Sequence, residues 1–140
     1  QPAAPPDAAA RTSEGGPDSA SRTVLLVEDE APVRAFAARA LRLRGYSVLE
    51  AGDAEAALEI LRDTTARIDL FVTDVVMPGK DGPTWVREAL RDRPDVRVIF
   101  VSGYSQADIP ELSEGIPGAL FLPKPFSLAE LTEAVARHMR

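Results

Sequence analysis

The chain has 140 residues, of which 22 are acidic, 16 basic, one histidine and none cysteine, so its formal net charge is −6. This length fits one domain. The acidic balance argues against binding to nucleic acid or to an anionic membrane surface, because both need clustered Lys and Arg. The lack of cysteine excludes disulfides and thiolate metal sites, and the expected location is cytoplasmic.

Residues 1–22 form a segment in which Ala, Pro, Gly and Ser supply 15 of 22 positions. The segment holds no Val, Ile, Leu, Met or aromatic residue, so it cannot bury enough apolar surface to offset its ordering entropy. We expect a disordered linker or tail at 1–22 and a folded domain at 23–140. Because the chain starts at Gln1 rather than Met, we also expect a fragment of a longer protein.

Short apolar runs alternate with amphipathic segments from residue 23 onward. The runs predict strands at 24–27, 46–50, 68–73, 96–101 and 119–122. Asp53 suits a helix N-cap, Gly45 a helix stop, and Ser127 with Glu130 a capping box. The segment 105–118 contains two prolines, so its helix should be short or irregular. The alternation predicts an α/β domain with a parallel sheet and helices on both faces.

Polar residues follow four of the predicted strands. Glu28 and Asp29 come after the first strand, Asp74 after the third, Ser102 after the fourth and Lys124 after the fifth. In open α/β sheets, ligands bind outside the carboxyl ends of the strands. Each residue alone has an ordinary reading as a cap, a turn former or a surface charge. Their joint occurrence at one edge instead predicts a site.

The three carboxylates of this set would repel one another in a partly buried cleft. A hard divalent cation such as Mg²⁺ would compensate them, because it takes oxygen ligands from carboxylates, waters and phosphate. Lys124 suits a phosphoryl oxygen or Asp74 itself, and Ser102 can donate a hydrogen bond to a phosphoryl oxygen. This combination matches the demands of in-line phosphoryl transfer.

Four motifs of the chain resemble those of the receiver domains of two-component response regulators. They are VEDE at 27–30, TDVVMPGKDG at 73–82, VSG at 101–103 and LPKPF at 122–126. The resemblance covers residues 23–140. It implies a doubly wound five-stranded parallel sheet of flavodoxin-like order 2-1-3-4-5, and a domain that catalyses its own phosphorylation and dephosphorylation.

The resemblance also implies a role for each matching residue. Asp74 matches the phosphoacceptor, and Glu28 and Asp29 match the acidic pair that holds Mg²⁺ together with Asp74. The backbone carbonyl of Val76 is expected as a further metal ligand. Glu28 stands where Asp is more usual, so its longer arm is expected to act through water.

Three further positions belong to the switch and the lysine motif of that family. Ser102 matches the switch hydroxyl, and Phe121 the aromatic switch position, where Tyr is frequent. Lys124 matches the lysine of the receiver site, and its peptide bond to Pro125 is expected to be cis, which costs only ~0.5–1 kcal/mol before proline.

Val76 and Tyr104 match positions that flank the path of attacking water in receivers. Val76 offers no side-chain hydrogen bond to that water, and Tyr104 would crowd its path. We therefore expect slow self-dephosphorylation, which Tyr104→Ala should accelerate.

Segments such as RAFAARALRLRGYSVLEA and FLPKPFSL resemble the C-terminal receivers of hybrid histidine kinases. This implies a histidine kinase domain as phosphodonor and a histidine phosphotransferase as acceptor. The kinase domain is expected in the same parent chain, where a membrane-bound kinase would tether this domain to the membrane. No direct contact with nucleic acid or membrane is expected. In this family the first helix often docks such partners, which makes Arg34 and Arg39 interface candidates and Phe36, Ala37 and Ala40 buried candidates.

Other functions stay open on the sequence. A pseudo-receiver would act as a binding module without phosphate, which the complete set of site residues disfavours. A phosphohydrolase with an aspartyl intermediate would carry a second carboxylate where Val76 stands. A stand-alone regulator with a DNA-binding output would need residues beyond Arg140. His138, near a helix C-terminus, and Trp85 are interpreted as structural residues rather than as parts of a site.

Overall fold

The computed structural model describes residues 22–103, 116 and 118–139. The strands are β1 (Thr23–Val27), β2 (Ser47–Ala51), β3 (Leu70–Asp74), β4 (Arg97–Ser102) and β5 (Leu120–Pro123). The helices in this part of the chain are α1 (Ala31–Leu43), α2 (Ala54–Leu61), α3 (Gly82–Asp92) and α4 (Leu128–Met139). All strand pairs are parallel, in the order β2-β1-β3-β4-β5, which confirms the predicted fold.

The sheet separates two apolar layers. Side chains alternate along β1, so that Val24 and Leu26 face one layer while Leu25 and Val27 face the other. Helices α1 and α4 cover the first layer, and α2 and α3 cover the second. These four residues, which follow Thr23 in β1, are nearly inaccessible to solvent, which explains why they form a continuous apolar run rather than an alternating one.

Capping residues fix where the helices begin. Asp53 accepts a hydrogen bond from the backbone N–H of Ala56 at 2.8 Å, as predicted. Ser127 and Glu130 bond each other's backbone N–H at 3.0 and 2.8 Å, which confirms the capping box. These caps satisfy N–H groups that have no partner within the helix. They also place the helix starts at the carboxyl edge of the sheet, beside the strand ends.

The predicted strand bounds differ from the observed ones by one or two residues. β3 was predicted at 68–73 but begins at Leu70 and includes Asp74. Its start is delayed because the Asp69 side chain, rather than a strand backbone group, accepts the hydrogen bond from the Thr23 N–H at 2.9 Å. The segment predicted as a short or irregular helix, apart from Ile116 and Gly118, and the predicted linker, apart from Arg22, lie outside the described residues.

The prediction that Phe36 is buried was wrong. Ala37 and Ala40 are buried, but Phe36 is 46% exposed. Its ring lies at the margin of the apolar face of α1, with its centroid 6.3 Å from that of Phe126. The residues that α1 buries against the sheet are Ala37, Ala38, Ala40 and Leu41, and Phe36 is not among them.

Within the described part of the chain, no helix combines the length and the apolar character that crossing a bilayer requires.

Candidate functional site

The carboxyl edge of the sheet gathers the predicted site residues. Asp74 is the last residue of β3, which lies between β1 and β4. Ser102 ends β4, Glu28 directly follows β1, and Lys124 directly follows β5. Parallel pairing therefore brings four positions that are far apart in sequence to one rim.

Lys124 lies at the centre of this rim. Its Nζ is 3.0 Å from Asp74 Oδ2, 3.1 Å from Glu28 Oε1 and 3.8 Å from Glu30 Oε1. Glu28 and Asp74 are only 3% and 7% exposed, respectively. Two buried carboxylates are thus joined through a single ammonium group, which confirms the expectation that Lys124 reaches Asp74.

Burial and neighbouring charge set the ionisation of the pair. Desolvation of the buried Glu28 carboxylate raises its pKa, and the negative charge of Asp74 adds to this effect. The hydrogen bonds from the Glu30 N–H and from Lys124 lower the pKa but do not outweigh the increase. Burial by itself lowers the pKa of Lys124, but its bonds to Asp74 and Glu28 outweigh that effect, so its pKa is raised. The site holds its negative charge at an electrostatic cost, which a further cation would relieve.

Oxygen atoms of Glu28, Asp29 and Asp74 lie within 4.8 Å of one another. Asp29 is exposed, whereas the other two side chains are buried. Three carboxylates at this spacing, two of them desolvated, are the hard oxygen donors that Mg²⁺ takes. The residues present therefore fit a magnesium ion.

The other predicted site residues lie around this cluster. Ser102 is 4% exposed, and its carbonyl oxygen accepts the backbone N–H of Lys124 at 2.9 Å. Phe121 is partly buried and packs on Phe100, with the ring centroids 5.5 Å apart. The Val76 side chain is 57% exposed. Tyr104, which is predicted to crowd the path of attacking water, lies outside the described residues.

The peptide bond between Lys124 and Pro125 is cis, as expected.

Arg34 contributes a contact that the sequence did not reveal. Its Nη1 donates to the backbone carbonyl of Glu28 at 2.7 Å, and its Nε lies 3.6 Å from Glu50 Oε1. Arg34 therefore ties the acidic loop to β2, beyond the interface role expected from its place on α1. The six-residue separation between Glu28 and Arg34 is not a recognisable motif, so sequence reasoning had no signal for this bond.

Trp85 is fully buried, which agrees with its structural interpretation, but its indole also makes a polar contact near Asp74. Its Nε1–H donates to the Thr73 hydroxyl at 3.1 Å. Sequence reasoning gave neither residue a role of its own at the site, because Trp85 was interpreted as a packing residue and Thr73 entered only as the first residue of the TDVVMPGKDG motif.

His138 lies at the opposite edge of the sheet. Its Nε2 lies 3.0 Å from the carbonyl oxygen of Val98. Burial, together with the nearby charge of Arg97, lowers its pKa despite that hydrogen bond. The charged form of His138 is therefore disfavoured, and the structural interpretation of this residue agrees with its packing.

An apolar groove adjoins the acidic cluster. It has a volume of about 490 Å³ and runs between the start of α1 and the turn after β5. Its lining residues are Pro32, Val33, Phe36, Lys124, Pro125 and Phe126. Because Lys124 belongs both to this groove and to the contacts of Asp74, whatever lies in the groove is close to the candidate site.

Comparison with known families identifies the class of domain. A family model described as the response regulator receiver domain matches residues 24–136. The chain belongs to this family of two-component signalling domains.

Among individual proteins, the chain is similar to the sensor kinase CckA of Brucella abortus (strain 2308). The two are 48% identical over 120 residues, which are 84% of this chain but 12% of that kinase. The solved receiver domain from the hybrid histidine kinase CckA matches with a TM-score of 0.72 and 43% identity, covering 84% of this chain and 99% of that one. This likeness agrees with the resemblance of the sequence to hybrid-kinase receivers.

A solved response regulator TrrA from Thermotoga maritima, in complex with Mg²⁺ and BeF, also matches. Its TM-score is 0.72 and its identity 26%, covering 84% of this chain and 98% of that one.

Proposed function

We propose that this domain accepts a phosphoryl group from a phosphohistidine on Asp74 and passes it to the histidine of a phosphotransferase. The observation that carries the proposal is the shared ion pair at the rim. Lys124 Nζ lies about equally close to Asp74 Oδ2 and Glu28 Oε1, at 3.0 and 3.1 Å, in a largely buried cluster. This arrangement supplies a carboxylate nucleophile with fixed positive charge beside it.

The transfer follows from the chemistry of these groups. A carboxylate oxygen of Asp74 attacks phosphorus, the P–O bond forms as the P–N bond to histidine breaks, and the imidazole leaves with the electron pair. Lys124 neutralises charge on the phosphoryl oxygens, and the Ser102 hydroxyl donates a hydrogen bond to one of them. Onward transfer is the reverse displacement, in which a second imidazole attacks and the Asp74 carboxylate leaves.

Glu28, Asp29, Asp74 and the backbone carbonyl of Val76 are the proposed magnesium ligands. When bound, the ion supplies charge neutralisation for the phosphoryl oxygens. The related TrrA, solved with Mg²⁺ and BeF, supports this assignment. Glu28 also keeps Lys124 at the rim, since its carboxylate contacts the ammonium group directly.

The kinase and phosphotransferase partners are inferred from the likeness to CckA. That relative is a sensor kinase, and a receiver domain of a hybrid histidine kinase CckA matches this fold. We infer a parent of the same architecture, acting at the cytoplasmic side, with the kinase domain as donor.

The groove beside Lys124 suits the helix of such a histidine-bearing partner. Its exposed aromatic residue, Phe36, offers an apolar contact, and Lys124 at the groove wall lies 3.0 Å from Asp74. A histidine on a helix seated there would lie near Asp74, because Lys124 both lines the groove and contacts Asp74. Truncating Phe36 should therefore slow transfer from a protein donor but not from a small one.

The first experiment is titration with beryllofluoride, a mimic of the phosphoryl group, in the presence of Mg²⁺ and followed by amide NMR. We expect saturable shifts near Asp74, Ser102 and Lys124 that are lost in Asp74→Asn. Absence of shifts in the folded wild type would reject the phosphoacceptor function and favour the pseudo-receiver.

The second experiment separates docking from chemistry. Phe36→Ala should slow phosphorylation by a phosphorylated phosphotransferase while leaving the rate with phosphoramidate unchanged. Leu43→Ala is the control, because Leu43 is 70% exposed on the same helix but does not line the groove. Equal rates for Phe36→Ala and wild type with the protein donor would remove the groove from the proposal.

A further inference from the structure

A buried chain of hydrogen bonds ends on the main chain of Asp74. The Trp85 indole N–H donates to the Thr73 hydroxyl at 3.1 Å, and that hydroxyl donates to the carbonyl oxygen of Asp74 at 3.0 Å. The direction of the chain is fixed at both ends, because an indole N–H only donates and a carbonyl only accepts. Thr73 and Trp85 are both 0% exposed, so water does not compete for these bonds.

The start of α3 is packed against the same carbonyl. A Cβ added to Gly82 would lie 2.3 Å from the Asp74 carbonyl oxygen, which leaves room for glycine alone. The Gly82 N–H also donates to the Val75 carbonyl at 2.9 Å. Trp85, in the first turn of α3, is in turn held by Phe71, with ring centroids 4.9 Å apart. These contacts therefore fix the position of the start of α3 relative to the end of β3.

We propose that Thr73 and Trp85 are positioning residues for Asp74. They fix the orientation of the Asp74 peptide group. That orientation sets the direction in which the Asp74 side chain points from the strand toward Lys124. This inference rests on the proposed phosphoacceptor function of Asp74. Its physical basis is that a small displacement of a reacting group lowers the rate far more than it lowers stability.

The alternative is that the indole and the hydroxyl merely satisfy each other inside the core. Both roles predict a loss of stability when one partner is removed, because the other is left buried without its bond. Only the positioning role predicts that the phosphoryl site itself is affected. The experiment must therefore separate affinity for the phosphoryl mimic from stability.

Thr73→Val is the informative substitution, because it keeps the shape of the side chain and removes its hydroxyl. Thr73→Ser is the matched control, since it retains the hydroxyl. In the full chain with Mg²⁺, we expect Thr73→Val to bind beryllofluoride about two- to tenfold more weakly than wild type, the range that one hydrogen bond is worth. Thr73→Ser should stay within about twofold of wild type, because the bond is kept.

Trp85→Phe combined with Thr73→Val separates the two roles. Replacing both partners by apolar groups should restore much of the stability lost in Thr73→Val, because no buried donor is left unpaired. It should leave beryllofluoride binding as weak as in Thr73→Val, because the Asp74 carbonyl still lacks its donor. Recovery of affinity together with stability would overturn the positioning role. If Thr73→Val alone does not fold, this double variant and Trp85→Phe give the same comparison.

NMR provides a readout that does not depend on phosphate. Trp85 is the single tryptophan of the chain, so its indole N–H gives one resonance. In the untreated protein, Thr73→Val should shift both that resonance and the carbonyl ¹³C of Asp74, whereas Thr73→Ser should shift them little. In wild type, beryllofluoride should shift the indole resonance.

The outcomes distinguish this inference from the proposed function. A folded wild type that fails to bind beryllofluoride overturns the function of Asp74 and the positioning role with it. A wild type that binds, alongside a Thr73→Val variant of unchanged affinity, overturns the positioning role alone. Unchanged Asp74 and Trp85 resonances in Thr73→Val would show that the chain of hydrogen bonds is not formed.

Discussion

The two edges of the sheet carry charged residues that are used in opposite ways. At the carboxyl edge, Glu28 and Asp74 share the single ammonium group of Lys124. At the amino edge, arginines bond main-chain carbonyls at helix ends: Arg22 donates to Met139 at 2.8 Å, and Arg93 to Leu61 at 3.2 Å. Arg97 adds a third contact of this kind, to the carbonyl of His138.

The direction of the helices explains this polarity. In this fold the helices begin at the carboxyl edge and end at the amino edge, so their positive ends lie near the carboxylates and their negative ends near the arginines. The arginine contacts complete the hydrogen bonding of helix termini and are structural. The carboxylates instead crowd around one cation, so their edge holds the oxygen donors that fit a magnesium ion and the carboxylate of the proposed phosphoacceptor.

The largest expected effect concerns Mg²⁺ at the carboxyl edge. At a concentration 100 times its Kd, Mg²⁺ should raise the free energy of unfolding by about 2.7 kcal/mol, because it binds the folded site and not the unfolded chain. Asp29→Asn should abolish most of that rise in melting temperature, measured against NaCl of equal ionic strength. Asp95→Asn makes the same charge change at the amino edge and should keep the full rise. Equal Mg²⁺ responses in the two variants would contradict the site.

Arg93→Met, at the amino edge, should lower the stability of the domain without changing its response to Mg²⁺. Its guanidinium donates to the carbonyls of Leu61, Asp63 and Ala66, so its loss should reduce the free energy of unfolding by about 1–2 kcal/mol. Urea unfolding with and without Mg²⁺ measures this. The increment due to Mg²⁺ should equal that of wild type, and a smaller increment would show that the two edges are coupled.

Arg34→Met tests a contact that reaches the acidic loop from α1. Losing its bond to the Glu28 carbonyl should weaken Mg²⁺ binding by about two- to tenfold. The fluorescence of Trp85 is the signal by which this binding is measured. Arg42→Met is the control, because Arg42 pairs with the same Glu50 but donates to the Val48 carbonyl instead. If both variants bind Mg²⁺ like wild type, Arg34 has no part in the site.

The smallest effect should be the pH dependence due to His138. Its pKa is lowered in the folded protein, so between that value and about 6.5 the unfolded chain binds more protons than the folded one. Stability should therefore fall as the pH drops from 7.5 to 5.5, and it should fall less in His138→Gln. The ring is partly exposed, which keeps the effect small. An equal fall in both proteins would contradict the assignment.

Local signals predicted the framework well. The apolar run of β1, the Asp53 cap and the box of Ser127 and Glu130 each act through neighbours in sequence or through burial on both faces. The gathering of Asp74 and Lys124 was also predictable, because parallel strands share one carboxyl edge.

The remaining details depend on contacts between distant elements. Periodicity placed Phe36 with the buried face of α1, but its ring lies at the surface, 6.3 Å from the ring of Phe126. The bond from Trp85 to Thr73 joins α3 to β3, although the sequence marks Trp85 only as a packing residue and Thr73 only as the neighbour of Asp74 in its motif. No spacing rule encodes such tertiary bonds.

The contact of Arg22 with Met139 has an architectural consequence. It brings the entry and the exit of the domain side by side at the amino edge, on the far side of the sheet from Asp74. A domain with adjacent ends can be inserted into a host loop or circularly permuted without stretching its sheet. A protein fused at either end of the described domain is therefore attached at the edge opposite Asp74, which suits the domain to insertion into engineered sensors.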